Sequence, residues 1–332
     1  MTVPFDIPDL ERELRGLLRQ IPLGKVATCG MLAKALGSSL AARWVGHFAL
    51  HHRHDDACPC HRIVRAQGEL GGYVTGKITA KISLLQREGI VLEEGLIDLA
   101  RYGFEDFASE FPLVKLRGIQ EKLAQRIAIR QRKRMPKCLG GVDVAYPSPE
   151  EAQAAYALVE TGTGQLIWSH VVRRPVRFPY ITTFLSFREL PSLLDLIAEV
   201  RAAGKMAEVI LVDGSGILHP RRAGAASHFG VAADVPTIGV TKKLLCGQVD
   251  IEGMQPLEAR PIVFEDRLAG LAIRPTSGSL RPLFVSPGHR VDLTFAEQAV
   301  RQTLLGRRLP EPIYWADRLS KQKQEYRRRP EV

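Results

Sequence analysis

The rhythm of apolar positions changes once along the chain, near residue 137. Before it, apolar residues recur at helical intervals in short blocks. Leu10–Arg19 is amphipathic, Cys29–Leu36 and Leu40–His51 are helical with a Gly37-Ser-Ser39 turn between them, and Lys77–Glu88 is a further helix closed by Gly89. Two short helices across a glycine-containing turn suit a helix-turn-helix, although any helical hairpin carries the same pattern. After residue 137 the rhythm is that of strands. Leu139–Ala145, Ala154–Glu160 and Leu166–Val172 alternate or run apolar, and Thr161-Gly-Thr-Gly164 joins the last two as a hairpin. Phe187–Ala203 reads as a long helix, Glu208–Val212 as a buried strand, Ala223–Ala233 as a helix and Thr237–Val240 as a strand. An antiparallel meander followed by β-α-β units predicts an α/β domain with a mixed sheet flanked by helices. No internal repeat or low-complexity tract is visible.

The length of 332 residues predicts two domains, which the change of rhythm places at 1–110 and 111–332. Hydrophobic residues at 45% and charged residues at 25% are ordinary globular values and exclude a disordered, collagen-like or coiled-coil chain. The start, Met1 to Glu11, turns acidic at once and shows no secretory h-region, and the longest buried-looking run, Val209–Val212, is far too short to span a bilayer. A soluble cytoplasmic protein with no membrane partner is expected. Five cysteines, an odd number scattered along the chain, fit a reducing compartment rather than a disulfide framework. Cys58-Pro-Cys60-His61 offers metal-ligand types, but no second Cys/His pair stands at zinc-finger spacing, so structural zinc is not expected.

The net charge of +10 points to a polyanionic partner, and its distribution sharpens that reading. Residues 1–112 sum to −1, residues 113–137 to +8, and the remainder to +3. The basic stretch has Ile119, Leu123, Ile127 and Met135 near helical spacing, with Arg and Lys opposite. It is expected to be an amphipathic basic helix that opens the second domain, with a face either solvated or set against phosphates.

In the second domain two carboxylates stand at strand ends. Asp143 lies in Gly140-Gly-Val-Asp-Val-Ala145 with Val142 and Val144 on the opposite face, and Asp213 terminates Val209–Val212 before Gly214-Ser-Gly216. Open α/β sheets place their sites at the carboxyl ends of strands, and hard cations such as Mg²⁺ want oxygen ligands. Either residue alone could simply cap a turn. Glu189, in Ser186-Phe-Arg-Glu-Leu190, could be a third ligand or could only complement the helix dipole.

Gly141-Val-Asp-Val-Ala-Tyr146, Phe178-Pro-Tyr-Ile181, Phe187-Arg-Glu189, Val212-Asp-Gly-Ser-Gly-Ile-Leu-His-Pro-Arg221, Ala226-Ser-His-Phe-Gly230, Pro236-Thr-Ile-Gly-Val-Thr-Lys242 and Val285-Ser-Pro-Gly-His289 occur in that order. Together they resemble endonuclease V over residues 140–310. The resemblance implies a ribonuclease-H-like fold and a metal-dependent nuclease for deaminated bases, above all hypoxanthine. Such an enzyme cuts the second phosphodiester 3′ of the lesion and leaves 3′-hydroxyl and 5′-phosphate ends. It further implies that Asp143 and Asp213 hold Mg²⁺ (or Mn²⁺) with Glu189 in support, and that Lys242 and His289 position the attacking water or the scissile phosphate. Tyr180 would be the stacking blade of a wedge that opens the duplex, and His219 and Arg221 would grip backbone or lesion. Thr182 for a usual proline, Leu190 for a glycine and Ser215 for a glutamine depart from the family pattern without touching the implied metal ligands.

In the first domain, Cys60 beside His61 invites a lowered thiol pKa, although a buried inert cysteine would look the same. Around it stand Ile21-Pro-Leu-Gly-Lys-Val26, Leu32-Ala-Lys-Ala-Leu-Gly37, Ala42-Arg-Trp-Val-Gly46, Pro59-Cys-His-Arg62, Gly68-Glu-Leu-Gly-Gly-Tyr73 and Leu84-Leu-Gln-Arg-Glu-Gly89. This set is similar to the DNA-binding, active-site domain of the O6-alkylguanine-DNA alkyltransferases, over about residues 10–105. A mostly α, winged helix-turn-helix-like domain is implied, in which the Cys60 thiolate takes the alkyl group from O6 of a flipped guanine, once and without a cofactor. His61 would receive the thiol proton through water and Glu88 would orient it. Arg43 would fill the gap left by the flipped base, and Tyr73 would contact DNA. Cys29 stands where the family has a tyrosine, His51-His-Arg-His54 replaces an Asn-containing hinge, and Val74-Thr75 replaces a Ser-Gly pair.

The combined expectation is a bifunctional DNA repair protein acting on damaged double- or single-stranded DNA, with no obligate protein partner. In one alternative the first domain recognises alkylated bases without transferring anything. In another, inosine-containing RNA is the nuclease's main substrate.

Overall fold

A computed structural model describes residues 6–55, 57–276 and 278–322. Met1–Phe5, the beginning of the stretch searched for a secretory signal, lies outside them. The chain divides into two compact units, one formed by residues 7–119 with 178–184 and the other by 120–177 with 185–322. No helix among the described residues is long and apolar enough to cross a membrane.

The first unit is built of short helices. Helix α1 (Leu10–Gln20) is started by Asp9, whose carboxylate accepts the Arg12 N–H at 3.0 Å, and it buries Leu10, Leu14, Leu17 and Leu18. Strand β1 (Ala27–Thr28) runs into α2 (Cys29–Ala35), capped by the Thr28 hydroxyl. Gly37, at φ +101°, then turns the chain into a 3-10 turn and α3 (Ala42–His51). A second 3-10 turn over Pro59–Arg62 leads into β2 (Ile63–Val64), which pairs in parallel with β1. Helix α4 (Ile78–Arg87), the small hairpin β3 (Leu92–Glu93) and β4 (Leu96–Ile97), and α5 (Leu99–Tyr102) follow. Their shared core is Val26, Val64, Leu85, Ile90, Ile97 and Tyr102.

Helix α6 (Pro112–Ala124) joins the units and is shorter than the basic helix expected over 113–137. The Arg126 and Ile127 N–H groups bond to the carbonyls of Leu123 and Ala124 in a tightened last turn. Ala128 is then engaged by the sheet: its N–H donates to His289 Nδ1 at 3.3 Å, and its carbonyl accepts the Arg290 N–H at 2.6 Å. A residue whose backbone is bonded elsewhere cannot continue an i→i−4 ladder.

The second unit is centred on an eight-stranded mixed sheet. Strands β5 (Cys138–Ser148), β6 (Glu151–Glu160) and β7 (Leu166–Pro175) form the antiparallel meander. Helix α7 (Leu185–Ala202), β8 (Ile210–Asp213), α8 (Ala225–Ala233) and β9 (Thr237–Thr241) make the β-α-β portion, with β5, β8 and β9 parallel. Strands β10 (Ala259–Phe264), β11 (Arg267–Ile273) and β12 (Leu283–His289) then extend the sheet to the order β10-β11-β12-β9-β8-β5-β6-β7. The chain continues through α9 (Leu293–Thr303) and α10 (Glu311–Ser320). One face of the sheet packs Val142, Ile210 and Val212 under α7 and α8; the other packs Leu139, Val209 and Leu211 with residues of α9 and Ile313 of α10. Alternation along a strand therefore turns Asp143 and Asp213 toward the α10 face.

Candidate functional sites

The parallel ladder of β5 and β8 sets Val142 opposite Val212, so Asp143 and Asp213 stand side by side where β8 ends. A third carboxylate joins them from α10. Asp143, Asp213 and Asp317 each present an oxygen, and these oxygens lie within 4.8 Å of one another. What lets α10 come so close is Gly141: a Cβ there would sit 2.0 Å from the Pro312 carbonyl oxygen. One turn beyond Asp317, the Ser320 hydroxyl donates to Asp143 Oδ2 at 2.5 Å. Lys242, just past β9, places Nζ 2.7 Å from Asp213 Oδ2 and 3.4 Å from Asp317 Oδ1. Lys321 adds a more exposed ion pair to Asp317 at 2.6 Å.

These charges are crowded. Burial, and then the neighbouring Asp213 charge, push the Asp143 carboxyl up to about 6. Glu189, buried on α7, is raised well above the ordinary range by burial first and then by Asp143 and Asp213. Its Oε1 lies 3.5 Å from the Tyr146 hydroxyl, but it is not among the carboxylates that fall within 4.8 Å of one another. Burial works against the Lys242 ammonium, yet the Asp213 charge and hydrogen bond, then Asp317, outweigh it and hold the pKa above the usual range. Three carboxylate oxygens converging with one ammonium between two of them suit a hard divalent cation, which takes oxygen ligands.

His289 is not brought to this cluster. Strand β12 runs antiparallel to β9 with His289 opposite Thr237, whereas Asp213 pairs with Val240. Three residues of strand, roughly 10 Å, separate the two ladder positions. The imidazole accepts the Ala128 N–H at 3.3 Å. His219 is buried, and its Nδ1 lies 3.1 Å from the Arg221 N–H. The Arg221 guanidinium donates to the buried Gln120 side chain at 2.7 Å, so both residues of the His-Pro-Arg turn are tied into the unit. Tyr180 is 57% exposed, between the buried Phe178 and Ile181.

In the first unit Cys60 is buried in the Pro59–Arg62 turn. His61 Nε2 lies 2.7 Å from Glu88 Oε1, and Arg62 reaches both Glu88 oxygens at 2.7–3.1 Å while its third nitrogen donates to the Ile21 carbonyl. Burial alone pushes the Glu88 carboxyl up, but hydrogen bonds from Arg62 and His61 outweigh it and hold it below the usual range. Among the described residues, the imidazole within hydrogen-bond distance of Cys60 is that of His54, with Nδ1 3.5 Å from Sγ. Cys58 Sγ lies 3.3 Å from His52 Nε2. The hydrogen bond from the Cys60 thiol, aided by the Cys60 backbone, His52 and His54, outweighs burial and lowers the Cys58 thiol to about 4, while that same bond, burial and the Cys58 charge push the Cys60 thiol well above its usual range.

Lys81 was not singled out by sequence and is 1% exposed, with Nζ donating to the carbonyls of Ile63, Leu70 and Gly72 at 2.6, 2.5 and 3.2 Å. Burial lowers its pKa to about 8 against the opposing pull of Cys60 and Cys29. A buried ammonium fully capped by carbonyls is a fixed positive pole near the thiols. Arg43 is exposed on α3. Tyr73 is buried and lies edge-on to His54 at 5.8 Å between ring centroids.

A family model described as Endonuclease V matches residues 121–318, and one described as 6-O-methylguanine DNA methyltransferase, DNA binding domain, matches residues 9–90. A bifunctional methyltransferase/endonuclease of Picrophilus torridus is 33% identical over 294 residues, which cover 88% of this chain and 90% of that protein. Among solved structures, the catalytic domain of human endonuclease V superposes with a TM-score of 0.59 at 31% identity, covering 64% of this chain and 96% of the human one. Endonuclease V of Ciona intestinalis, solved with a 24mer DNA containing an inosine followed by a ribo-adenosine, gives 0.56 at 26% identity over 63% of this chain and 95% of its own. The unit carrying Asp143, Asp213 and Asp317 thus has an endonuclease V fold, the unit carrying Cys60 matches the methyltransferase DNA-binding domain, and the chain belongs to the endonuclease V family in its bifunctional methyltransferase/endonuclease form.

Proposed function

We propose that the second unit, read as a ribonuclease-H-like domain, nicks DNA at the second phosphodiester 3′ of deoxyinosine and other deaminated bases, and that the first, read as a winged helix-turn-helix domain, moves alkyl groups from O6 of guanine to Cys60. The observation that carries the nuclease half is the convergence of Asp143, Asp213 and Asp317 from three separate elements. Asp143, Asp213 and Asp317 would hold Mg²⁺ or Mn²⁺, with the buried Glu189 behind them. The bound ion supplies a water nucleophile near neutral pH and stabilises charge on the phosphoryl oxygens. Lys242 balances the carboxylates and offers its ammonium to the scissile phosphate. Ser320 fixes which oxygen of Asp143 remains available. Tyr180, exposed on a turn anchored by buried neighbours, stacks in the duplex at the lesion, and the exposed basic side chains of 113–137 contact phosphates. Arg221, held by His219 and Gln120, supports the strand end that carries Asp213.

For Cys60, the thiolate displaces guanine from the alkyl carbon and a thioether remains, so each molecule acts once. The His61–Glu88–Arg62 network takes up the proton, Lys81 supports the negative sulfur, and Arg43 enters the gap left by the flipped base. The reading is tested with two duplexes. With Mg²⁺, a single-inosine duplex should give one nick with ligatable ends at the second 3′ phosphodiester, abolished by a chelator. Without Mg²⁺, a duplex with one O6-methylguanine should add ~14 Da, one methylene, to the peptide containing Cys60. Uncut inosine duplex would overturn the nuclease half. Lesion binding without the mass gain would make the first unit a recognition module.

A further inference from the structure

Four side chains of the first unit meet where the Cys60 chemistry leaves three of them unused. His52, His54, Cys58 and Cys60 each present one ligand atom, and these atoms lie within 4.8 Å of one another. The two nitrogen–sulfur contacts, His52 to Cys58 and His54 to Cys60, are 3.3 and 3.5 Å. A tetrahedral ion with bonds of about 2.3 Å to sulfur and about 2.05 Å to nitrogen separates the two donors by about 3.5 Å. Both contacts therefore have the length of an edge of a zinc tetrahedron.

The groups around these four side chains orient them as well. His52 Nδ1 lies 2.7 Å from the Phe48 carbonyl, which takes the ring N–H and leaves a lone pair on Nε2 facing Cys58. The His52 ring is stacked on Phe48 at 4.6 Å, and His54 is held edge-on to Tyr73. The chain is folded back to make the cluster: Cys58 N–H donates to the Asp55 carbonyl at 3.0 Å, and Ala57 N–H to the Asp55 side chain at 3.1 Å. Separate thiol–imidazole hydrogen bonds would account for each pair. They would not require both pairs to converge on one point, nor the Phe48 carbonyl to fix the His52 tautomer.

We propose that His52, His54, Cys58 and Cys60 bind one Zn²⁺, and that alkylation of Cys60 discharges it. The second clause rests on the reading of Cys60 as the alkyl acceptor. In that step a sulfur lone pair forms the S–C bond, the C–O6 bond breaks, and its electron pair leaves with the guanine, which takes a proton from solvent. A charged thiolate ligand becomes a neutral thioether, a poor donor for zinc.

The test uses the full chain, stripped with a chelator and titrated with Co²⁺. Sulfur-to-cobalt charge-transfer absorbance reports thiolate ligands only, so the carboxylate cluster is silent. One equivalent of Co²⁺ should give the band, and one equivalent of Zn²⁺ should remove it. Asp143→Asn should leave it unchanged. Cys58→Ser should roughly halve it, and Cys58→Ser and His54→Ala should each weaken Zn²⁺ binding by more than about tenfold. No band in wild-type protein that nicks inosine duplex normally, or full binding by both variants, overturns the site. Zinc-loaded protein given O6-methylguanine duplex should release one Zn²⁺ per methyl group found on Cys60. Methylation with zinc fully retained overturns the discharge alone. A Co²⁺ band without any methyl transfer keeps the site and removes both the discharge and the acceptor reading.

Discussion

The carboxylates at the strand ends of the second unit and the thiols before β2 of the first are both groups of acids held close together, but their surroundings differ. Around Cys60 the protein supplies its own positive charge. Lys81 is capped by three carbonyls, and Arg62 neutralises Glu88 behind His61. Around Asp143 the protein supplies the half-buried Lys242, the exposed Lys321 and, acting on Glu189, Arg188, against Asp143, Asp213, Asp317 and the buried Glu189. Even so, the first arrangement favours only one thiolate: hydrogen bonding lowers Cys58, while the bond to Cys58, burial and the Cys58 charge push Cys60 up. In the second, burial first and then the neighbouring carboxylate charges raise both Asp143 and Glu189. The thiols therefore ionise one sulfur ahead of the other beside a carbonyl-capped cation, whereas the carboxylates crowd together; on the readings proposed above each cluster takes a divalent ion, among soft ligands in the first and among oxygens in the second.

The largest effect expected from this contrast is Asp213→Asn or Asp143→Asn. Losing the ion's stabilisation of the phosphoryl transition state, several kcal/mol, should slow inosine nicking by about 10³-fold or more, with alkyl transfer unchanged. Parallel loss of both activities would show that the two sites are not separate. A smaller effect belongs to the other side. His61→Ala should slow alkyl transfer at pH 7 by about 10²-fold, and the deficit should shrink as pH rises, because hydroxide then takes the thiol proton in place of the imidazole. An equal loss in His54→Ala, not relieved at high pH, would instead make His54 the proton acceptor.

The smallest effect is on stability. A carboxyl with folded pKa raised to about 6 stabilises the fold fully below its unfolded value near 4, and that contribution is lost as pH rises through about 6. Metal-free wild type should therefore lose stability from pH ~4 to ~6 through this group. Metal-free Asp143→Asn should melt at least about 2 °C above wild type at pH 7.5 and level with it at pH 4. In Mg²⁺ the order should reverse. A variant no more stable than wild type without metal would show that the Asp143 charge is not frustrated.

Much of this was legible in the sequence because it was local. The helices α1 to α4 follow apolar spacing, and Asp143 and Asp213 were visible as carboxylates ending apolar strands. What escaped depended on ladders and on distant packing. His289 sits in a family-like motif, but the antiparallel register of β12 against β9 carries it to the other end of the strands. Asp317 lies in Tyr314-Trp-Ala-Asp-Arg-Leu319, which resembles any solvated helix face. The available signal was indirect: Gly140-Gly141 inside a buried strand marks a close backbone approach without saying by what. The basic helix was read too long because Ala128's engagement by β12 is non-local. His52 and His54 were passed over because His-x-His-x3-Cys-x-Cys is not a zinc-finger spacing; the donors come together only because the loop after α3 doubles back.

The missing Cβ at Gly141 has a temporal side. Pro312 can seat against β5 only after that strand has formed, and Asp317 and Ser320 reach Asp143 only once α10 is seated. During synthesis, which exposes the chain from its amino end, the first unit and the strands bearing Asp143 and Asp213 emerge before the helix that brings in Asp317. A nascent chain thus carries two of the three clustered carboxylates and no complete set. On the proposed reading, nicking is armed last, by α10.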